Sequence, residues 1–133
     1  MASSCGQAVH GIKDHKGKAE HDLKIAEFLL ADGNYPDWVI TCSFYTAVHY
    51  VDAYAHKLGI NSFEPKLGER ITAHGKRMRF VKNQLNQFFI GYKRLYDRCI
   101  QSRYDPQYYR LMPTSYPSLA VKDAKNFTTL KLP

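Results

Sequence analysis

Twenty-two residues in the first half of the chain, DWVITCSFYTAVHYVDAYAHKL from Asp37 to Leu58, constrain its fold more than any other segment. At 100° per residue, Ile40, Phe44, Ala47, Val51, Tyr54 and Leu58 form one apolar stripe of a helix. Trp38, Cys42, Tyr45, His49, Asp52 and His56 form a second, narrower stripe on the opposite side. A helix that is apolar or aromatic around most of its circumference needs neighbours on several sides, so it belongs in the middle of a bundle. Tyr35-Pro36-Asp37 starts it, and Gly59 stands where a left-handed residue would end it.

The flanking segments supply the neighbours. Lys18 to Asp32 places Leu23, Ala26 and Leu30 on one face, with Ile25 and Leu29 beside them and Glu20, Lys24 and Glu27 opposite. Gly33-Asn34 stops that helix. A loop with Pro65 and Gly68 leads into a short basic helix, ERITAHGKRMRFVK, weakened by Gly75. Near 83–102, Leu85, Phe88, Phe89, Tyr92, Leu95, Tyr96 and Cys99 recur at helical spacing as a packing seam. After Asp105-Pro106 and a tyrosine-rich connection, Pro117 opens a last helix whose inner face is Leu119, Val121, Ala124, Phe127 and Leu130. With no alternating strand pattern, the expected fold is all-α, a four- to five-helix up-and-down bundle over residues 18–133. Residues 1–17 mix Gly, Ser, Lys and His without a period and read as a flexible tail.

At 133 residues there is room for one domain, and a hydrophobic share of 44% excludes wholesale disorder. No run approaches the ~20 apolar residues of a membrane span, and the N-terminus lacks the apolar stretch of a signal peptide, which points to the cytoplasm. Cys5, Cys42 and Cys99 are too few and too widely spaced for a disulfide framework or a zinc motif, so reduced thiols are expected. The net charge of +7 is uneven: residues 1–65 hold 5 basic and 8 acidic side chains, and residues 66–133 hold 14 and 4. That asymmetry suggests an anionic partner for the second half.

The order of these elements, with Tyr35, Asp37 and Trp38 opening the central helix, Phe44, Tyr45, Ala47 and His49 at its centre, and Leu95, Tyr96, Arg103 and Tyr104 closing the long one, resembles a HEPN domain. The similarity covers about residues 18–131. It implies a small helical bundle that often forms homodimers and often stands beside a nucleotidyltransferase or in toxin–antitoxin and defence systems. Many members are metal-independent ribonucleases that use an arginine followed, after four to six residues, by a histidine. Here Arg70 precedes His74 by three intervening residues, and Ile71 stands where a polar residue is usual. In the nucleotidyltransferase-associated group an R-x-x-A-D-Y motif ends the long helix. Aligned on Tyr104, this chain has Cys99 at its arginine and Arg103 at its aspartate.

Three constellations carry possible chemistry. Arg70, His74 and Arg77 lie within about 60° on one face of the basic helix. His74 would then act as general acid or base on a ribose oxygen, with Arg70 stabilising phosphate charge. The plainer alternative is a solvated basic face. Arg70, Arg77, Arg79, Lys82, Arg103 and Tyr104 are the candidate contacts to RNA or a nucleotide, arginines for phosphate and tyrosine for base stacking. Tyr108, Tyr109 and Arg110 continue that aromatic and basic mixture.

Trp38, Tyr45, His49, Asp52 and His56 form the third constellation, read as buried polar or interface residues. The spacing of His49, Asp52 and His56 permits a three-ligand metal site, but no second cluster such as Glu-x-x-His accompanies it, so neither metal nor cofactor is expected. Cys5, His10, His15 and His21 fall in or near the tail and read as solvated. The functional expectation is an RNA- or nucleotide-binding helical module. A metal-independent ribonuclease and a non-catalytic dimerisation or adaptor domain are the alternatives.

Overall fold

The central segment forms the helix it predicts, and every other helix leans on it. In a computed structural model the backbone is described for residues 4–133 and the side chains for residues 11–133. Among the described residues six helices run in chain order: α1 (Ser4–Asp32), α2 (Pro36–Lys57), α3 (Ala73–Gln84), α4 (Phe89–Tyr104), the single turn α5 (Tyr108–Leu111) and α6 (Tyr116–Asn126). Short 3₁₀ turns cover Asn86–Phe88 and Phe127–Thr129, and no strand occurs among the described residues. The antiparallel pair α1–α2 is the most extensive interface, with α4 and α6 packed on the remaining sides of α2.

Burial explains this arrangement. Ile40, Phe44, Ala47 and Val51 are almost wholly buried, but so are Val39, Ser43, Thr46, Val48 and Ala53, leaving α2 little solvent-facing surface along its middle. The Phe44 ring meets Tyr92 and Tyr96 of α4 and His74 of α3 with centroids 5.6–5.8 Å apart. Truncating such a ring to alanine typically costs about 3–5 kcal/mol. Leu85, Tyr92, Leu95 and Cys99 of the packing seam are buried, as are Val121, Ala124 and Phe127 beside them. Gly91 brings α4 close to α6: a Cβ there would stand 3.5 Å from a carboxylate oxygen of Asp123.

Four expectations need correction. Residues 4–17, assigned to a tail, extend α1, while residues 1–3 lie outside the described residues. Contact with α2 supplies the stabilisation that local propensity lacks: Ala19 is fully buried, and a Cβ on Gly11 would come within 2.5 Å of the His56 ring. The basic helix starts at Ala73, because the Thr72 hydroxyl caps it by accepting the Gly75 N–H at 3.0 Å. Gly75 therefore sits in the first turn, where its helix penalty is small, and Arg70 lies before the helix in an exposed loop. The long helix breaks at Leu85, whose φ of −133° and ψ of 47° are not helical, and resumes as α4. Trp38, placed in the buried polar stripe, is 56% exposed, standing in the first turn of α2.

Candidate functional site

The later half of the second stripe of α2, His49, Asp52 and His56, faces a seam between α1 and α3. Asp52 is buried, and Arg77 of α3 grips it as a fork, with Nε donating to Oδ1 at 2.8 Å and Nη2 to Oδ2 at 3.2 Å. The same guanidinium lies 5.5 Å from the centroid of Phe63, which holds it from the loop side. A carboxylate so deeply placed needs such a partner, since an unpaired buried charge costs several kcal/mol. Arg77, expected on a free basic face, is thus committed to an internal ion pair.

From the opposite side, α1 contributes His15. Its Nδ1 is 2.9 Å from Nδ1 of His49 and 4.0 Å from Oδ2 of Asp52, and the two imidazoles stack with centroids 5.1 Å apart. His56 lies one turn beyond Asp52, its ring 5.3 Å from that of His15 and its Nδ1 buried with no hydrogen-bond partner among the described residues. Burial lowers the pKa of His15 and of His49 below the usual histidine value, and each is opposed by the nearby Asp52 charge. The seam opens into a polar pocket of about 190 Å³ lined by His15, Asp52, His56, Glu64 and Arg77. Sequence reasoning missed His15. The available signal was the inner stripe of α1, in which Ala19, Leu23 and Ala26 continue one turn back to position 15.

His74 occupies a separate place. It is half-buried among aromatic rings, with Phe44 at 5.6 Å and Tyr96 at 5.9 Å between centroids, and its Nδ1 is buried without a partner. Burial lowers its pKa, and the positive charges of Arg77 and Arg103 act in the same direction. Arg70 precedes the α3 cap, so the shared helical face expected for Arg70, His74 and Arg77 does not form. Arg103, near the end of α4, is exposed and donates to the Tyr45 hydroxyl of α2 at 3.3 Å. Its guanidinium also lies 5.4 Å from the ring centroid of Tyr104, itself 70% exposed.

The remaining candidates scatter. Arg79 and Lys82 are exposed on α3. Tyr108 is buried, while Tyr109 is exposed with Arg110 5.4 Å from its ring. Cys42 and Cys99 are free thiols, and burial pushes Cys99 up to about 11, so it stays protonated at neutral pH. The Cys5 and His10 side chains lie outside the described residues; His21 is exposed on α1.

Among the described residues no helix is long and apolar enough to cross a membrane. No curated protein and no solved structure gives a significant match to the chain. The family model of the HEPN domain, by contrast, matches residues 12–131, a span that starts inside α1 and takes in every later helix. With its helical bundle, its central α2 and the α4 packed against it, the chain belongs to the HEPN domain family.

Proposed function

We propose that this HEPN domain is an RNA- or nucleotide-binding module whose ligand lies across the α2–α3–α4 surface beside Arg103. The observation that carries the reading is the exposed Arg103 guanidinium, held by the Tyr45 hydroxyl and set beside the exposed Tyr104 ring. A cation for phosphate next to an aromatic face for a base is the pairing that single-stranded nucleic acid uses. The basic bias of residues 66–133, in which Arg79 and Lys82 are exposed on α3, adds long-range attraction. Arg77 enters only as a structural support, because its fork is occupied by Asp52.

Fluorescence anisotropy with a labelled single-stranded RNA, repeated over a series of salt concentrations, tests this. Affinity falls steeply with salt, and Tyr104→Ala weakens it about fivefold or more, as loss of one base–aromatic stack does. Absence of binding at low salt, or binding unaffected by Arg103→Ala and Tyr104→Ala together, overturns the reading.

A dimerisation or adaptor role, with a second copy, a nucleotidyltransferase or an antitoxin as partner, is favoured by one specific feature. Phe28 and Trp38, on the paired helices α1 and α2, are 72% and 56% exposed and offer large apolar groups to a partner. A monomer in sedimentation equilibrium at micromolar concentration counts against the homodimer. The ribonuclease alternative rests on His74 alone, now that Arg70 stands outside α3. RNA cleavage lost in His74→Ala would be needed to support it.

A further inference from the structure

We propose that His15, His49 and Asp52 form a binding site for a first-row divalent transition cation of the zinc class, joining α1 to α2. One ligand atom from each of the three residues lies within 4.8 Å of the other two. Four-coordinate zinc, with bonds of about 2.0–2.1 Å to nitrogen and oxygen, places its ligands roughly 3.3 Å apart. The observed Nδ1–Nδ1 separation of 2.9 Å and Nδ1–Oδ2 separation of 4.0 Å bracket that spacing, so small side-chain rotations suffice.

The donor set is chemically apt. Two imidazoles, borderline donors that zinc and its neighbours favour, outweigh the one carboxylate, which zinc also accepts, whereas calcium and magnesium favour all-oxygen shells. Arg77 supplies the outer support such sites need. Its shorter bond goes to Oδ1, at 2.8 Å, while Oδ2, the oxygen facing His15, carries the longer one of 3.2 Å and keeps lone-pair capacity for a cation. The fourth position faces the polar pocket that His15 and Asp52 share with His56 and Glu64, leaving room for a water or a further ligand. His56, its buried Nδ1 unpartnered among the described residues, stands on that open side.

Cation binding replaces the Nδ1–Nδ1 hydrogen bond. The ring that donates in the free protein shifts its proton from Nδ1 to Nε2 through solvent, so both Nδ1 lone pairs become available and no proton need be lost overall. Because α1 and α2 each contribute a ligand, the cation acts as a clasp across the longest interface of the fold. The inference is independent of RNA binding, which draws on Arg103 and Tyr104 at another part of the molecule.

The test uses the full chain, stripped with chelator and titrated with zinc alone. Calorimetry shows one equivalent bound, and His15→Ala, His49→Ala and Asp52→Asn each weaken binding at least tenfold, whereas His21→Ala, an exposed histidine of the same helix, leaves it unchanged. Cobalt(II) in place of zinc shows nitrogen and oxygen ligation with no thiolate charge-transfer band, which excludes Cys42 and Cys99. Should a variant fail to fold, imidazole nitrogen shifts in the parent protein decide: zinc moves Nδ1 of His15 and His49 and leaves His74 in place. Zinc that leaves both Nδ1 shifts unmoved, a thiolate band, or full binding by a folded His49→Ala protein overturns the proposal.

Discussion

Two aspartates are gripped in the same way in this protein and do different things. Asp52 on α2 takes the fork of Arg77, and Asp123 on α6 takes that of Arg94 on α4, at 2.8 and 2.7 Å. Both carboxylates are buried. What differs is the company. Asp123 lies against the backbone of Gly91, and its arginine side chain is 35% exposed, so water shares in solvating the pair. Each pair borders a pocket, but Asp52 has an arginine only 15% exposed and the imidazole of His15 4.0 Å away. A bidentate ion pair is thus a staple when nothing else reaches the carboxylate. It becomes the floor of a site when other ligands converge on the same oxygens.

Removing each arginine fork breaks the comparison most directly. Arg77→Leu leaves Asp52 buried and unpaired, and the expected loss is about 3–5 kcal/mol by urea denaturation. A loss below about 1 kcal/mol would show that the carboxylate finds water or His15 instead. Asp123→Asn removes the other pair, but the partly exposed Arg94 recovers hydration, so the expected loss is smaller, roughly 1–3 kcal/mol. That variant should bind zinc as the parent does, whereas Asp52→Asn should not. Equal zinc binding by the two would erase the distinction between staple and site.

The smallest effect comes from pH. Burial lowers the pKa of His15, His49 and His74 in the folded protein. The unfolded chain, with histidines near about 6.5, therefore takes up protons first as the pH falls. The stability these histidines contribute is complete above that value and is lost progressively below it, down through their folded pKa values. Thermal unfolding of the chelated protein between about pH 7 and about pH 5.5 should show this decline, with His74→Gln flattening part of it. Asp123→Asn should keep the parent's slope. A melting temperature that rises as the pH is lowered would contradict the sign.

The fold was largely legible because its strongest signals are local. The apolar stripe of α2, the seam from Leu85 to Cys99 and the inner face of α6 follow from spacing alone, and Ile40, Phe44, Ala47, Val51, Leu85, Tyr92, Leu95, Cys99, Val121, Ala124 and Phe127 among them are buried. The break at Leu85 was not legible, since no glycine or proline marks it. The site was legible only in half. His49, Asp52 and His56 stand out on α2 by spacing, but His15 is separated from His49 by 34 positions and sits between Gly11 and Gly17, where local rules favour no helix. The helical face expected to join Arg70 and His74 did not form, for the opposite reason. Their order in sequence suggested a shared face, and the Thr72 cap placed the two residues on different backbone geometries.

By itself the sequence determined the class of fold, the identity of the central helix and the uneven charge, because hydrophobic periodicity and residue type act over one or two turns. Only the tertiary structure decided that α1 extends back to Ser4, that Arg77 serves Asp52 rather than a ligand, and that His15 joins His49 and Asp52. Those outcomes depend on groups far apart in sequence paying the desolvation of one another. Such a balance exists only once the helices have packed.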